Sequence, residues 1–170
     1  MQALLLPGGR SVRIEQIPEP EPGPGEVVLA MGAAGLCGSD LHMAYRPEPA
    51  ERHGPIFGLD TDPDVVPGHE PAGVVAAVGP DVAHLHVGDR VAVHHMGGCG
   101  TCMSCRRGWD INCRQKWGTY GLDKPGAMQD QMVVRARDCV RVPDRVSMAE
   151  AAYYTCGAGT GYLVVCLVIG

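Results

Sequence analysis

Apolar residues in this chain come in short runs separated by glycine, proline and charge, a rhythm that predicts strands rather than long helices. Residues 3–6 and 12–17 read as two strands joined across Pro7-Gly8-Gly9, a hairpin turn. Residues 18–25 form a Pro/Glu/Gly spacer, and residues 26–34 a strongly apolar strand centred on Val27-Val28-Leu29-Ala30-Met31. Further strands fall at 72–78 and 90–95, with Gly88-Asp89 as the turn between them, and at 127–135 and 139–142. One helix is signalled, with Ser147 as N-cap and Glu150 three positions on as its capping-box partner; it should run to about Thr155, ahead of Gly157 and Gly159. Residues 45–67 hold five prolines and seven charged residues and read as a long loop.

Composition supports one turn-rich domain, mainly β with a few helices. The chain has 170 residues with 24 Gly and 14 Pro, yet 45% of it is hydrophobic, which argues for a packed core and against disorder. Only 5% is aromatic, so that core must be built chiefly from Val, Ala, Leu and Met. The net charge of -5 is spread along the chain without a basic patch, which argues against nucleic acid as a partner. The first residues do not read as a signal peptide, and residues 163–169 are too few to span a bilayer, so a membrane is not expected either. Eight cysteines without a secretion signal point to metal rather than disulfides, hence to a reducing compartment, most simply the cytoplasm.

Four of those cysteines, Cys99, Cys102, Cys105 and Cys113, follow C-x2-C-x2-C-x7-C within a lobe spanning residues 97–113. Four thiolates complete a tetrahedral zinc and leave no open position, so such a site is structural. Gly97, Gly98 and Gly100 permit tight turns around it, and Arg106, Arg107 and Lys116 can offset its charge. Two disulfides or an iron–sulfur cluster are the alternatives; spacing and inferred compartment favour zinc.

A second candidate site starts from Gly68-His69-Glu70-Pro71-Ala72-Gly73, where a histidine and a glutamate sit together between glycines. His69 is a natural metal ligand that needs partners. Cys37 and Cys156 each lie at the end of an element beside glycine, but spacing alone does not connect them to His69. Cys139 and Cys166 stand in apolar contexts and read as small buried hydrophobes.

Three further observations join these pieces. Gly68-His69-Glu70-x-x-Gly73-x5-Gly79, Cys37-Gly38-Ser39-Asp40-x-His42 and Cys156-Gly157-Ala158-Gly159-Thr160-Gly161-Tyr162, together with the cysteine lobe, resemble the zinc-containing alcohol dehydrogenases of the medium-chain dehydrogenase/reductase superfamily, in that family's order. The resemblance implies a GroES-like β-barrel catalytic domain over residues 1–162 and two zinc ions. It implies a catalytic zinc on Cys37, His69 and Cys156 and a structural one on the four lobe cysteines. Glu70 would sit beside the catalytic metal, Asp40 would orient His69, Ser39 and His42 would relay a proton, and Thr160 would touch the nicotinamide. The implied reaction is hydride transfer between NAD or NADP and a small alcohol, polyol or carbonyl compound, with the metal as Lewis acid. His94 and His95 could line the substrate pocket, whereas His53, His84 and His86 match no role.

One departure is plain. No complete G-x-G-x-x-G occurs, so a Rossmann domain is absent from these residues. Residues 163–170 read as a truncated apolar tail, like a first Rossmann strand stopping at its first glycine, or as a segment returning to the catalytic domain. The expectation is a chain that binds two zinc ions without appreciable turnover and that can form a homo-oligomer through an exposed strand edge in its tail. The competing reading is a stand-alone zinc-binding GroES-like scaffold or interaction module; Ser39 and His42 beside an open metal favour the enzyme.

Overall fold

The computed structural model describes residues 1–47, 64–115 and 117–169, with backbone alone for Ile169. The chain opens with an antiparallel ribbon, β1 (Gln2–Gly8) and β2 (Ser11–Gln16). Its turn is one residue later than the sequence suggests: Gly8 pairs with Ser11, and Gly9 and Arg10 both take positive φ, 61° and 62°. Two positive φ values match the right-handed twist of a two-residue hairpin loop. Pro7, which has no N–H to donate, falls where the register shifts.

The main sheet is antiparallel. It contains β3 (Glu26–Gly35), β4 (Glu70–Val78), β5 (Arg90–Val93), β8 (Gln131–Arg135) and β9 (Cys139–Arg141), in the order β8-β3-β4-β5-β9. A second ribbon pairs β6 (Met96–Gly97) with β7 (Gly118–Thr119). All seven strand regions read from the apolar pattern are present, most of them trimmed or extended by a few residues. The expected barrel is not. Among the described residues the main sheet is open, with β8 and β9 at its edges. The first ribbon approaches the β8 side but makes a single bridge, Ala3 to Gln129, and β9 is three residues long with Pro143 soon after it. Closure needs continuous pairing around the ring.

The core lies on one face of this sheet and follows the period-two alternation of its strands. Val27 and Leu29 of β3, Val75 of β4, Val91 and Val93 of β5, and Met132 and Val134 of β8 pack there with Tyr120. The helix α3 (Met148–Thr155) packs on β3 and β4 through small side chains, Ala151 and Ala152 against Ala72 and Ala33. Its capping box forms as read: Glu150 N–H donates to Ser147 Oγ at 3.2 Å, and Ser147 N–H donates to Glu150 Oε2 at 2.8 Å.

The tail differs from its sequence reading. Residues 163–169 belong to a helix, α4 (Gly157–Ile169), bent by 47° from α3. The reason is hydrogen bonding: a strand without a neighbour leaves its backbone groups unpaired, whereas a helix satisfies them internally. The expected strand edge is therefore absent, though Tyr162 and Val168 remain 74% and 77% exposed. Cys166, read as buried, is exposed, while Cys139 packs against the core and burial, then the charge of Asp138, pushes its thiol up to about 12. Among the described residues no single helix is long and apolar enough to cross a membrane.

One buried polar network ties the sheet to the second ribbon. Asp138 accepts from Arg135 Nε at 2.8 Å, from Arg135 through a second nitrogen at 2.9 Å, and from the Tyr120 hydroxyl at 3.1 Å. The Tyr120 oxygen accepts in turn from Arg135 N–H at 2.9 Å. Tyr120→Phe should lower the unfolding free energy by about 1–3 kcal/mol, because it orphans buried partners. Burial, then the charge of Asp138, holds the Tyr120 hydroxyl well above its ordinary pKa. Its contribution to stability is full below about pH 10, the unfolded tyrosine's pKa, and is lost as pH rises beyond that, because the unfolded chain then releases a proton that the folded chain keeps. Denaturant titrations from about pH 8.5 to about 11.5, roughly 1.5 units either side of the free tyrosine, should show a steeper alkaline loss for the parent chain than for Tyr120→Phe; equal slopes would contradict this.

Candidate metal centres

The first centre is assembled where β3 ends and β4 begins. Gly35, the last residue of β3, pairs with Glu70, the first of β4. A Cβ on Gly35 would collide with the Glu70 carboxylate, so the glycine makes room for that side chain. His69 precedes the strand in a turn set by Gly68 at φ +95°, which allows neighbouring residues to face one site. Past β3 the chain enters a short helix, α1 (Gly38–Ala44). Cys37 is its N-cap and Asp40 its third residue, and Cys37 N–H donates to Asp40 Oδ2 at 2.8 Å. Cys156 comes from the far end of the sequence, at the break between α3 and α4.

These elements bring Cys37, His69, Glu70 and Cys156 together, with one ligand atom from each inside a 4.8 Å group. Burial, then the nearby charges of Cys37 and Glu70, pushes the Cys156 thiol up to about 12. A cation held among these four groups would offset that penalty on the Cys156 thiolate. The donor set of two sulfurs, one imidazole and one carboxylate fits zinc. Asp40 is fully buried, and its Oδ1 lies 4.0 Å from His69 Nδ1 with no hydrogen-bond partner among the described residues. That separation is beyond a hydrogen bond. Ser39 Oγ lies 3.5 and 3.4 Å from the two ring nitrogens of His69.

His42 and Thr160 stand further out. His42 is exposed on α1, one turn beyond Ser39 and so on the same helix face. Thr160 is exposed in the first turn of α4, where its hydroxyl faces the Cys156 sulfur. His95 has a firmer place than the sequence gave it. Its ring centroid is 5.2 Å from that of His69, and its Nδ1 is buried without a partner. Burial, then the charges of His69 and His94, lowers its pKa to about 4, so it stays neutral. His94 and His95 both line a cavity of about 570 Å³ that adjoins this centre. His53 and most of the 45–67 loop lie outside the described residues.

The second centre is the cysteine lobe. Its sulfurs are separated by 3.9 Å (Cys99–Cys105), 3.5 Å (Cys102–Cys105) and 3.8 Å (Cys102–Cys113). A tetrahedron with zinc–sulfur bonds of about 2.3 Å has edges of about 3.8 Å, which these three separations approach, and all four sulfurs lie within 4.8 Å of one another. Cys99 N–H donates to Cys113 Sγ at 3.3 Å, and Cys102 N–H to Cys99 Sγ at 3.4 Å. Arg106 and Arg107 are exposed, and Lys116 lies outside the described residues. The cations that brace the lobe come instead from its neighbour in space. Arg135 donates to Gly98 O at 2.8 Å, and Arg137 to Gly98 O at 3.2 Å and to Asp110 Oδ1 at 3.1 Å. Burial works against Asp110's charge, and Arg137 overcomes it, so that carboxyl lies below its ordinary value. No spacing rule links Arg137 to the cysteines; the pattern Arg135-Ala136-Arg137-Asp138 was the available signal.

Comparison with known proteins agrees with this architecture. The Alcohol dehydrogenase GroES-like domain family matches residues 23–144. The zinc-type alcohol dehydrogenase-like protein YphC of Escherichia coli (strain K12) is 36% identical over 163 residues, 95% of this chain and 46% of that protein. The sorbitol dehydrogenase of Bombyx mori is 36% identical over 151 residues, 88% of this chain and 41% of its own length. Among solved structures, a cobalt- and zinc-bound thermostable alcohol dehydrogenase from Pyrobaculum aerophilum superposes with a TM-score of 0.80 at 30% identity, covering 95% of this chain and 46% of that one. The chain therefore belongs to the zinc-type alcohol dehydrogenase family of the medium-chain dehydrogenase/reductase superfamily, through its GroES-like domain. It spans less than half the length of these relatives.

A Cβ at position 98 would strike Cys105 Sγ and the Asp110 carboxylate. Gly98→Ala should therefore speed zinc loss from the lobe to a chelator by at least about tenfold, the size expected when support around a metal is disturbed. A colorimetric zinc-release assay reads this, and an unchanged rate would show that the lobe tolerates the methyl group.

Proposed function

We propose that this chain is the zinc-holding, catalytic part of an NAD(P)-linked alcohol dehydrogenase that oxidises a small alcohol or polyol to an aldehyde or ketone, and the reverse. The convergence of Cys37, His69, Glu70 and Cys156 on one point carries this reading. Two cysteines and a histidine form the known catalytic zinc set of alcohol dehydrogenase, and the fourth position, within reach of the Glu70 carboxylate here, opens to substrate when that carboxylate steps back. Zinc held there would polarise the substrate oxygen as a Lewis acid. Cys37, His69 and Cys156 would hold it, with Glu70 beside it, and Asp40, 4.0 Å from His69 Nδ1, would orient that ring. Ser39 takes the hydroxyl proton, and His42, one helical turn on, passes it to solvent. Thr160 lies against the nicotinamide. The four lobe cysteines hold a second, structural zinc, and the thiol-rich sites suit the reducing cytoplasm.

The 170 residues contain no complete G-x-G-x-x-G. The second reading is a zinc-binding GroES-like scaffold or interaction module without chemistry of its own. Metal analysis, imidazole titration and a dehydrogenase assay separate these. The purified chain should hold two zinc ions, His69→Ala should hold one, and imidazole should bind the parent chain alone. Because no dinucleotide fingerprint is present, this chain by itself should oxidise alcohols with NAD or NADP at no more than background rate. Two ions retained by His69→Ala, or a parent chain blind to imidazole, would remove the open-site assignment; normal turnover would overturn the expected lack of activity.

A further inference from the structure

The cysteine lobe carries a second, smaller pocket of about 280 Å³, lined by Met103, Ser104, Arg107, Trp109 and Asn112. None of these residues belongs to either group of metal donors. The pocket lies between a short helix, α2 (Met103–Arg106), and the single helical turn Asp110–Asn112. The backbone builds it. Ser104 O accepts from Arg107 N–H at 3.1 Å and from Trp109 N–H at 2.9 Å, which folds positions 104, 107 and 109 onto one place. Gly108, at φ +77°, permits that reversal. Asn112 N–H donates to Trp109 O at 3.0 Å and closes the other side. Cys105 in α2 and Cys113 just past the turn belong to the same four-sulfur group, so a zinc ion there fixes the pocket's shape before any ligand arrives.

The polar side chains of this pocket are uncommitted. Ser104, Arg107 and Asn112 make no side-chain hydrogen bond or ion pair with the described residues. The local charge is positive although the chain as a whole carries -5. Arg106, Arg107 and Arg114 fall within residues 97–114, where Asp110 is the one acidic residue, and Asp110 is already paired with Arg137 at 3.1 Å. The pocket thus offers a free guanidinium, a hydroxyl and an amide together with an indole and a thioether. A guanidinium fork matches a carboxylate by two parallel hydrogen bonds. The indole and thioether suit an apolar body attached to it.

We propose that this pocket binds a small organic anion, a carboxylate on an apolar or aromatic body, at a site separate from both metal centres. Arg107 takes the carboxylate, Ser104 and Asn112 donate to it, and the body lies against Trp109 and Met103. The site stands independently of the dehydrogenase reading. Trp109 also lines the larger cavity, so an anion bound here adjoins that cavity across a shared wall.

The chain has two tryptophans, and Trp109 lines this pocket while Trp117 does not, so the two indole N–H signals in a nitrogen–proton NMR titration locate binding. In the zinc-loaded chain at constant ionic strength, benzoate should shift the Trp109 signal saturably and leave that of Trp117 in place. Benzoate should bind at least about tenfold more tightly than acetate, because its ring is buried as well. Benzamide, the uncharged counterpart, and inorganic phosphate, a charge without a body, should both bind more weakly than benzoate. Arg107 does not line the larger cavity, so Arg107→Ala tests this pocket alone. That change should weaken benzoate at least about tenfold, the size expected for hydrogen bonds to a charged group. Arg114→Ala should stay within about twofold, as for a charge out of contact. His69→Ala should bind benzoate like the parent, which separates this site from ligation at the first centre. Zinc content confirms that each variant keeps its lobe. Phosphate or benzamide as tight as benzoate, equal losses in Arg107→Ala and Arg114→Ala, or loss of binding in His69→Ala would each overturn the proposal.

Discussion

Everything in the first metal centre depends on the antiparallel pairing of β3 with β4, and above all on Gly35 opposite Glu70. Strand pairing fixes register, and register fixes which side chains share a face. The pairing places the end of one strand, which leads into Cys37, beside the start of another, which carries His69 and Glu70. A side chain at position 35 would occupy the space of the Glu70 carboxylate. The glycine is thus a condition for the cluster, and the small residues above it serve a related end. Ala151 and Ala152 let α3 lie close against Ala72, which brings the break after α3, and Cys156 with it, down to the same point.

The two centres solve the problem of buried negative charge differently. In the lobe, four sulfurs lie within 4.8 Å of one another and accept from backbone N–H groups, with Arg135 and Arg137 bracing the loop from outside. Such a site is closed by its own ligands. In the first centre, two thiols, an imidazole and a carboxylate meet in a buried place where no arginine or lysine is paired with them among the described residues. Burial and the neighbouring Cys37 and Glu70 disfavour the Cys156 thiolate. A metal cation resolves both costs, which is why the donor chemistry itself points to one. Asp40, buried with one oxygen unpaired, extends the same logic outward: an orphaned carboxylate oxygen facing a histidine is suited to a metal-bound imidazole.

The surface outside these centres is apolar where α4 turns away. No charged residue occurs from Ala151 onward. The helix forms because its backbone has no strand to pair with, while its side chains have little of the described chain to pack against. Part of that apolar surface is put to use as a wall of the cavity, through Tyr162 and Leu163, facing Trp109 and Ile111 of the cysteine lobe. The metal lobe and the last helices, distant in sequence, thus share one pocket.

The sequence by itself determined the strands outside the second ribbon, the capping box of α3 and the pattern of the cysteine lobe, because these are local: alternation of period two, a cap three residues from its partner, thiols a few residues apart. It also named His69, and resemblance to a family supplied Cys37 and Cys156. It could not determine whether the sheet closes, since that depends on long-range pairing at edges that the alternation pattern does not record, and among the described residues the sheet is open. It misread the tail, because a short apolar run suits strand and helix equally and only the absence of a partner strand decides. It passed over Arg135, Arg137 and the partnerless nitrogen of His95, whose roles exist only through neighbours tens of residues away. Local chemistry was legible in the chain; which groups are left buried, paired or alone was decided by tertiary packing, because burial is a property of the whole fold.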